Sequence, residues 1–235
     1  MREPATGKLL AFAEGRKFSC ADHGWNDLVL KTSADGGATW SPLAVVRSES
    51  TNGHEVTIGN PAPIVVASQP GVLLLPFSRN NIQAGVLRSA DFGATWAYSA
   101  NLTVPSDWSW IATGPPGGIQ LASGRLVLPV DNETPGSSAS LAYLSDDEGA
   151  TWYLSTNYVS AANECQAAEL SWLSNSTHSV VHLSARAAGG SARLAATSTD
   201  GGKTWGKPWQ TVKETECEGS VVALPASRRL VMSSA

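Results

Sequence analysis

Five ionic side chains in this chain could do chemistry together: the carboxyls of Asp22 and Glu164 and the guanidinium groups of Arg16, Arg79 and Arg186, with the amide of Asn60 beside them. A carboxyl held near a reacting bond gives or takes a proton. Arginine pairs a carboxylate bidentately and stays charged at any relevant pH. Such a set could transfer protons on a ligand that is itself an anion. The plain alternative is that these acids and bases pair with one another and close the ends of strands. Four more acids, Asp35, Asp91, Asp147 and Asp200, recur at regular distance. They could be metal ligands, but an active site rarely needs four copies of one acid, and a structural staple is the better reading.

What would position these groups is a repeat. The octet Ser-x-Asp-x-Gly-x-Thr-Trp stands at 33–40, 89–96, 145–152 and 198–205, with starts 56, 56 and 53 residues apart. Each copy lies between short β-rich runs, so it is placed at a hairpin turn. There Asp can accept backbone N–H bonds, Gly can supply positive φ, and Trp can pack on the flank. Four antiparallel strands, A to D, in each repeat of this length make a propeller blade. The sequence predicts an all-β propeller in a single partial domain over 1–235. Its blades run over about 8–46 (partial, lacking its A strand), 61–102, 115–158, 164–212 and 219–235 (partial). The octets join C to D. Strand parity therefore puts the starts of A and the ends of B on the opposite face, which gathers Arg16, Asp22, Asn60, Arg79, Glu164 and Arg186 at one rim. Asp131 and Asn132 are expected in the loop that follows the third B strand. A positive rim of this kind would steer an anion inward.

Composition narrows the function. Hydrophobic types at 42% of 235 residues can bury a core, while charged residues at 15% and 22 glycines favour strands and turns. Sixteen basic against twenty acidic residues, with no basic run, argue against nucleic acid and anionic membranes as partners. No apolar stretch approaches the ~20 residues of a membrane-spanning helix. The segment Met1-Arg2-Glu3-Pro4 is not of signal-peptide type. Cys20, Cys165 and Cys217 are read as free thiols, and His54, His178 and His182 show no ligand spacing, so no metal or other cofactor is expected.

The loops around these residues resemble the sialidases, six-bladed propellers whose octets are known as Asp boxes. The resemblance rests on Leu9-Leu10-Ala11-Phe12-Ala13-Glu14-Gly15-Arg16, Asp22-His23-Gly24, Gly59-Asn60-Pro61-Ala62-Pro63, Ala112-Thr113-Gly114-Pro115 and Asn163-Glu164-Cys165-Gln166, together with the octets. It implies a retaining exo-α-sialidase acting on sialylated glycoconjugates without a cofactor. By the same resemblance Asp22 is the acid/base and Glu164 polarises a tyrosine nucleophile. Arg16 contacts the C4 region of the sugar, Asn60 lines the N-acetyl pocket, and Arg186 belongs to a three-arginine carboxylate clamp. Arg2, in Arg2-Glu3-Pro4-Ala5, is similar to the first clamp arginine but sits closer to Arg16 than the family spacing. Arg79 has no family role and is read as structural.

The third clamp arginine and the nucleophile belong to blades five and six of the family, and no tyrosine follows Arg186. Both ends of the repeat array look cut, and the chain alone is expected to be inactive. Two other readings stand beside this one: a non-catalytic propeller that binds glycans, and a degenerate product without a stable fold.

Overall fold

The computed structural model describes residues 1–3, 6–175, 177–190, 192–213 and 218–234. Cys217 lies outside them; Cys20 is a free, exposed thiol and Cys165 a free, buried one. The first sheet runs β1 (Leu9–Arg16), β2 (Asn26–Ser33), β3 (Ala44–Arg47). In the second, β4 (Ile58–Gly59) and β5 (Ile64–Val65) both pair with β6 (Leu73–Arg79), followed by β7 (Gln83–Ser89) and β8 (Ala97–Leu102). In the third, β9 (Trp110–Thr113) and β10 (Ile119–Gln120) pair with β11 (Leu126–Thr134). The sheet continues through β12 (Ser137–Ser145) to β13 (Tyr153–Leu154) and β14 (Val159–Ser160). The fourth is β15 (Ala162–Glu169), β16 (Val181–Ala187), β17 (Ala192–Ser198), β18 (Trp209–Lys213), and the last is the pair β19 (Gly219–Leu224) and β20 (Arg229–Ser234). Ladders between consecutive strands are antiparallel, as short turns require. This is the all-β propeller arrangement that the repeat predicts.

Three details depart from expectation. In the second and third sheets the A strand pairs earlier than the blade starts at 61 and 115, as β4 and β9, before Pro61 and Pro63, then Pro115 and Pro116, interrupt the ladder where a donor is needed. The third B strand does not stop at Val130. It runs on to Thr134 in a long hairpin with β12, so Asp131 faces Ser140 within a ladder instead of standing in a loop. The inner place of the first sheet is not empty, since Arg2 bridges to Leu9 and the Leu10 N–H donates to the Met1 carbonyl at 2.9 Å.

The sheets bury their apolar faces against one another in chain order. Leu28, Ile58, Leu75 and Phe77 fill the space between the first and second. Leu74, Val86, Leu128 and Tyr143 fill the next, and Val127, Leu144, Leu183 and Trp205 the one after. Each such side chain stabilises the fold by roughly 1.5–3 kcal/mol relative to exposure. That stacking is what holds neighbouring rims in register.

The octets fasten the opposite face. In all four, one Asp oxygen accepts the Ser hydroxyl at 2.7–2.8 Å and the Thr N–H at 2.8–2.9 Å, and the other accepts the Thr hydroxyl at 2.6 Å. The same Ser oxygen accepts the Gly N–H at 2.8–2.9 Å. The acid is the hub of its turn, and these bonds consume it as a staple. The Thr95 hydroxyl, the Thr95 N–H and the Ser89 hydroxyl pull Asp91 down to about 2.

Candidate functional site

One cleft of about 1070 Å³ is lined by Arg16, Asp22, Asn60, Glu164 and Arg186, all from the rim away from the octets. Five of the six expected site residues therefore share one mouth. Arg2 also touches this trough, but its backbone pairs with Leu9 at the octet end of β1. Seven residues of strand, about 23 Å, separate that point from Arg16. Arg2 thus lines the same cleft from its far end.

Four of the five are placed by a strand end, and Asp22 by the loop between β1 and β2. Glu14 and Arg16 are two residues apart on β1, hence on the same face. Arg16 Nε and Nη2 reach Glu14 Oε2 at 2.9 and 2.8 Å, and Nη2 also reaches Asp22 Oδ1 at 2.8 Å. The Arg16 side chain also donates to the Cys20 carbonyl, which fixes the 17–25 loop that carries Asp22. That loop is tied to the second sheet by the Gly24 N–H, which donates to the Thr57 hydroxyl at 2.9 Å. The Asp22 side chain stays 77% exposed, open to whatever occupies the cleft.

Glu14 has a second task, for its other oxygen accepts the Asn60 N–H at 2.8 Å. Asn60 stands in the left-handed region at φ 53°, and the adjacent Gly59 leaves room for the carboxylate, because a Cβ there would lie 2.5 Å from Glu14 Oε1. The Asn60 amide donates to the Ser78 hydroxyl at 2.7 Å, and its carbonyl accepts the Thr113 hydroxyl. On the far side, Glu164 at the start of β15 pairs with Arg186 Nη1 near the end of β16 at 2.9 Å, and both are about three-quarters buried. A bulge between Ala162 and Cys165 sets the direction of Glu164.

Glu14, Asn81 and Glu133 line the cleft without having been singled out from sequence, and Trp110 and Glu218 line it with them. Burial, with the Glu164 charge adding to it, pushes the Glu218 carboxyl above its ordinary range. The mouth is therefore not a positive rim. Arg16 is held by Glu14 and Asp22, Arg186 by Glu164, and Arg79 is paired at 2.6 Å with Glu49, away from the cleft. The expected inward steering of an anion gives way to ion pairing, because the acids sit within bonding distance of the bases they were expected to help. Arg79 is structural, as read from sequence.

No tyrosine lines the cleft among the described residues. The buried Tyr143 hydroxyl donates to the Thr103 carbonyl at 2.8 Å, Tyr153 to Asp146 at 2.6 Å and Tyr98 to Asn101 at 2.5 Å, while Tyr158 is exposed. Among the described residues no group of three or more His, Cys, Asp or Glu side chains could hold a metal ion. No helix among them is long and apolar enough to cross a membrane.

A blade array fastened by repeated octets, with an ionic mouth on the opposite face, defines a class, and residues 7–234 match the model of the BNR repeat-like domain. The chain belongs to that family. Among its relatives is human Sialidase-4, 32% identical over 263 residues, an alignment that covers 95% of this chain and 53% of that protein. Another is an exo-alpha-sialidase of Aspergillus fumigatus, 34% identical over 158 residues, which covers 53% of this chain and 38% of the relative. The Hadza microbial sialidase Hz136 superposes with a TM-score of 0.84 at 25% identity, over 96% of this chain and 49% of that one. Trypanosoma rangeli sialidase, at 19% identity and a TM-score of 0.71 over 99% of this chain and 42% of its own, shares the fold. The chain spans about half the length of Sialidase-4 and of Hz136.

Proposed function

We propose that this chain carries one side of the glycone site of an exo-α-sialidase, a retaining glycosidase that releases terminal sialic acid from glycoconjugates. The observation that supports this most is the shared cleft of Asp22, Glu164, Arg16, Arg186 and Asn60, five residues drawn from four different sheets or loops. Asp22, exposed at the lip, protonates the departing glycoside oxygen and then takes a proton from water. Arg186 meets the sugar carboxylate, with Glu164 setting its orientation. Glu164 also activates a phenol nucleophile. A carboxylate attacking an anomeric carbon that bears its own carboxylate would meet like charge, and a neutral phenol avoids this. Two displacements then retain configuration. Neither that phenol nor the remaining clamp arginine lies among the cleft residues described above.

The chain 1–235 is therefore expected to bind free sialic acid weakly and to hydrolyse a fluorogenic sialoside at a small fraction of the rate of a product with all six blades. In the latter, Asp22→Ala and Glu164→Gln are expected to lower kcat at least ~100-fold with little change in fold by circular dichroism. An unaffected kcat in either variant would refute the assigned roles. A second reading, a glycan-binding propeller without turnover, is favoured by the finding that no tyrosine lines the cleft among the described residues. Saturable binding with no hydrolysis by the six-bladed product would establish it instead.

A further inference from the structure

Asp131 is an acid of the cleft that is buried with no ion pair or hydrogen bond to either oxygen among the described residues. It lies in the interior of β11, opposite Ala112 of β9 and Ser140 of β12, and is 1% exposed. It nevertheless lines the cleft together with Trp110, Glu133, Asn163, Glu164 and Arg186. Neither of its carboxyl oxygens has a hydrogen-bond partner of good geometry, although both are fully buried and the Trp110 indole is near enough to act weakly on them. An unsatisfied buried polar group is rare and costly, and one that borders a binding cleft is most simply explained by a partner that arrives with the ligand. A metal ion is not that partner, since no three suitable side chains converge here among the described residues. Nor is an anion, because Glu164 and Glu133 already stand close by.

We propose that Asp131 is a recognition residue of the cleft, whose two carboxyl oxygens take up hydroxyl groups of the bound sugar beside Glu164 and Arg186. This rests on the sialic acid reading of the site and adds to it a residue that none of the role assignments above includes. The groups facing Asp131 bias its protonation toward the neutral form. Burial, then the charges of Glu164 from β15 and Glu133 from its own strand, hold the carboxyl well above the ordinary range, against smaller opposing effects of the Trp110 indole and of Arg186 from β16. Cys165, the other titratable neighbour, is itself kept protonated by burial and by the nearness of Asp131. These effects favour the neutral carboxylic acid, which donates one hydrogen bond through its O–H and accepts another through its C=O. A carboxylate in the same place could only accept, and would repel a sugar that carries its own charge.

The test uses the chain as it stands, with free sialic acid as probe, and the variants D131N and D131V. In calorimetric titrations near neutral pH, D131V is expected to bind at least ~10-fold more weakly than the wild type, because the sugar hydroxyls lose both partners. D131N, which keeps a donor and an acceptor, is expected to fall between them. Raising the pH should weaken the wild type relative to D131N, since only the wild type can ionise there. Should D131V not fold, the ratio of wild-type to D131N affinity across pH decides the matter, and a constant ratio overturns the proposal. Equal binding by D131V and wild type overturns it as well. Thermal melts give a readout that needs no sugar. An acid with a raised folded-state value stabilises most below the ordinary carboxylate range and loses that contribution as pH rises. D131N should accordingly melt higher than wild type by roughly 3 °C or more near pH 8, with the gap closing near pH 4. Identical melts at all pH values would remove the neutral acid. If the wild type binds no sialic acid at all while the melts behave as stated, the reading of the site falls, and the recognition role falls with it.

Discussion

Glu14 holds the mouth together. Its two oxygens serve Arg16 and the Asn60 N–H, so one carboxylate joins the first sheet to the second and aims the base that contacts Asp22. Charge-assisted hydrogen bonds of this kind contribute about 1.5–3 kcal/mol. Glu14→Gln keeps the shape but weakens both links, and is expected to reduce sialic acid affinity about tenfold with only a small loss of thermal stability, measured by calorimetry and circular dichroism on one preparation. A matching loss in both would make Glu14 a fold residue only. This role was legible in part: an acid two residues before an arginine on one strand must share its face, but the reach across to Asn60 depends on how sheets dock. Asp131 was hidden for a related reason. Sequence spacing ends the strand at Val130, and only the extended pairing with β12 takes the side chain out of solvent.

At the scale of the element, the octet was almost fully legible, because five fixed positions leave little freedom in which atoms meet. Its glycine is required on two counts at the third copy. Gly149 has φ 90°, and a Cβ there would lie 2.4 Å from Leu74 Cδ1. Gly149→Ala is expected to lower Tm by roughly 4 °C or more, as positive φ and the clash act together, whereas alanine at Gly136, on the open β11–β12 turn with nothing near it, meets only the φ penalty and should lower Tm less. Equal effects would mean that packing against Leu74 is slack. The octet acids also set a pH window. Their folded-state values are depressed by hydrogen bonds to Thr and Ser, Asp91 to about 2. Their contribution is complete above the ordinary value of about 4 and is lost as pH falls toward 2. Melting temperature should therefore drop steeply between those limits, and Asp91→Asn should flatten the drop. A wild-type Tm that stays level from pH 4 to 2 would contradict the staple. The strand ends were less legible than the turns, since in two sheets the A strand also pairs ahead of its prolines, at β4 and β9, before the blade bounds read from sequence.

At the scale of the molecule, strand parity brought five side chains to one face although they span 170 residues, Arg16 to Arg186. Parity does not tell which charges pair, and so it gave a positive rim where the structure has neutralised one. The link between the fourth sheet and β19 was not legible at all. Arg193, with no exposed surface, donates from Nε to the Ser184 hydroxyl at 3.0 Å and from Nη2 to the Gly219 carbonyl at 3.2 Å. Arg193→Ala is expected to destabilise by about 3 kcal/mol or more and to raise amide exchange in β19 and β20 before the other sheets, as hydrogen-exchange mass spectrometry can follow. Uniform exchange would show instead that the sheets open together. The staples at the other face have a different bearing. The Ser, Asp, Thr and Gly bonds that recur in all four octets close within the same eight residues, while contacts particular to one copy reach the next blade, as Arg125 does in donating to the Asp200 carbonyl at 3.0 Å. Gene duplication or loss could add or delete a whole unit and leave these recurring bonds of the remaining turns intact, so that only the contacts between blades would need to be rebuilt.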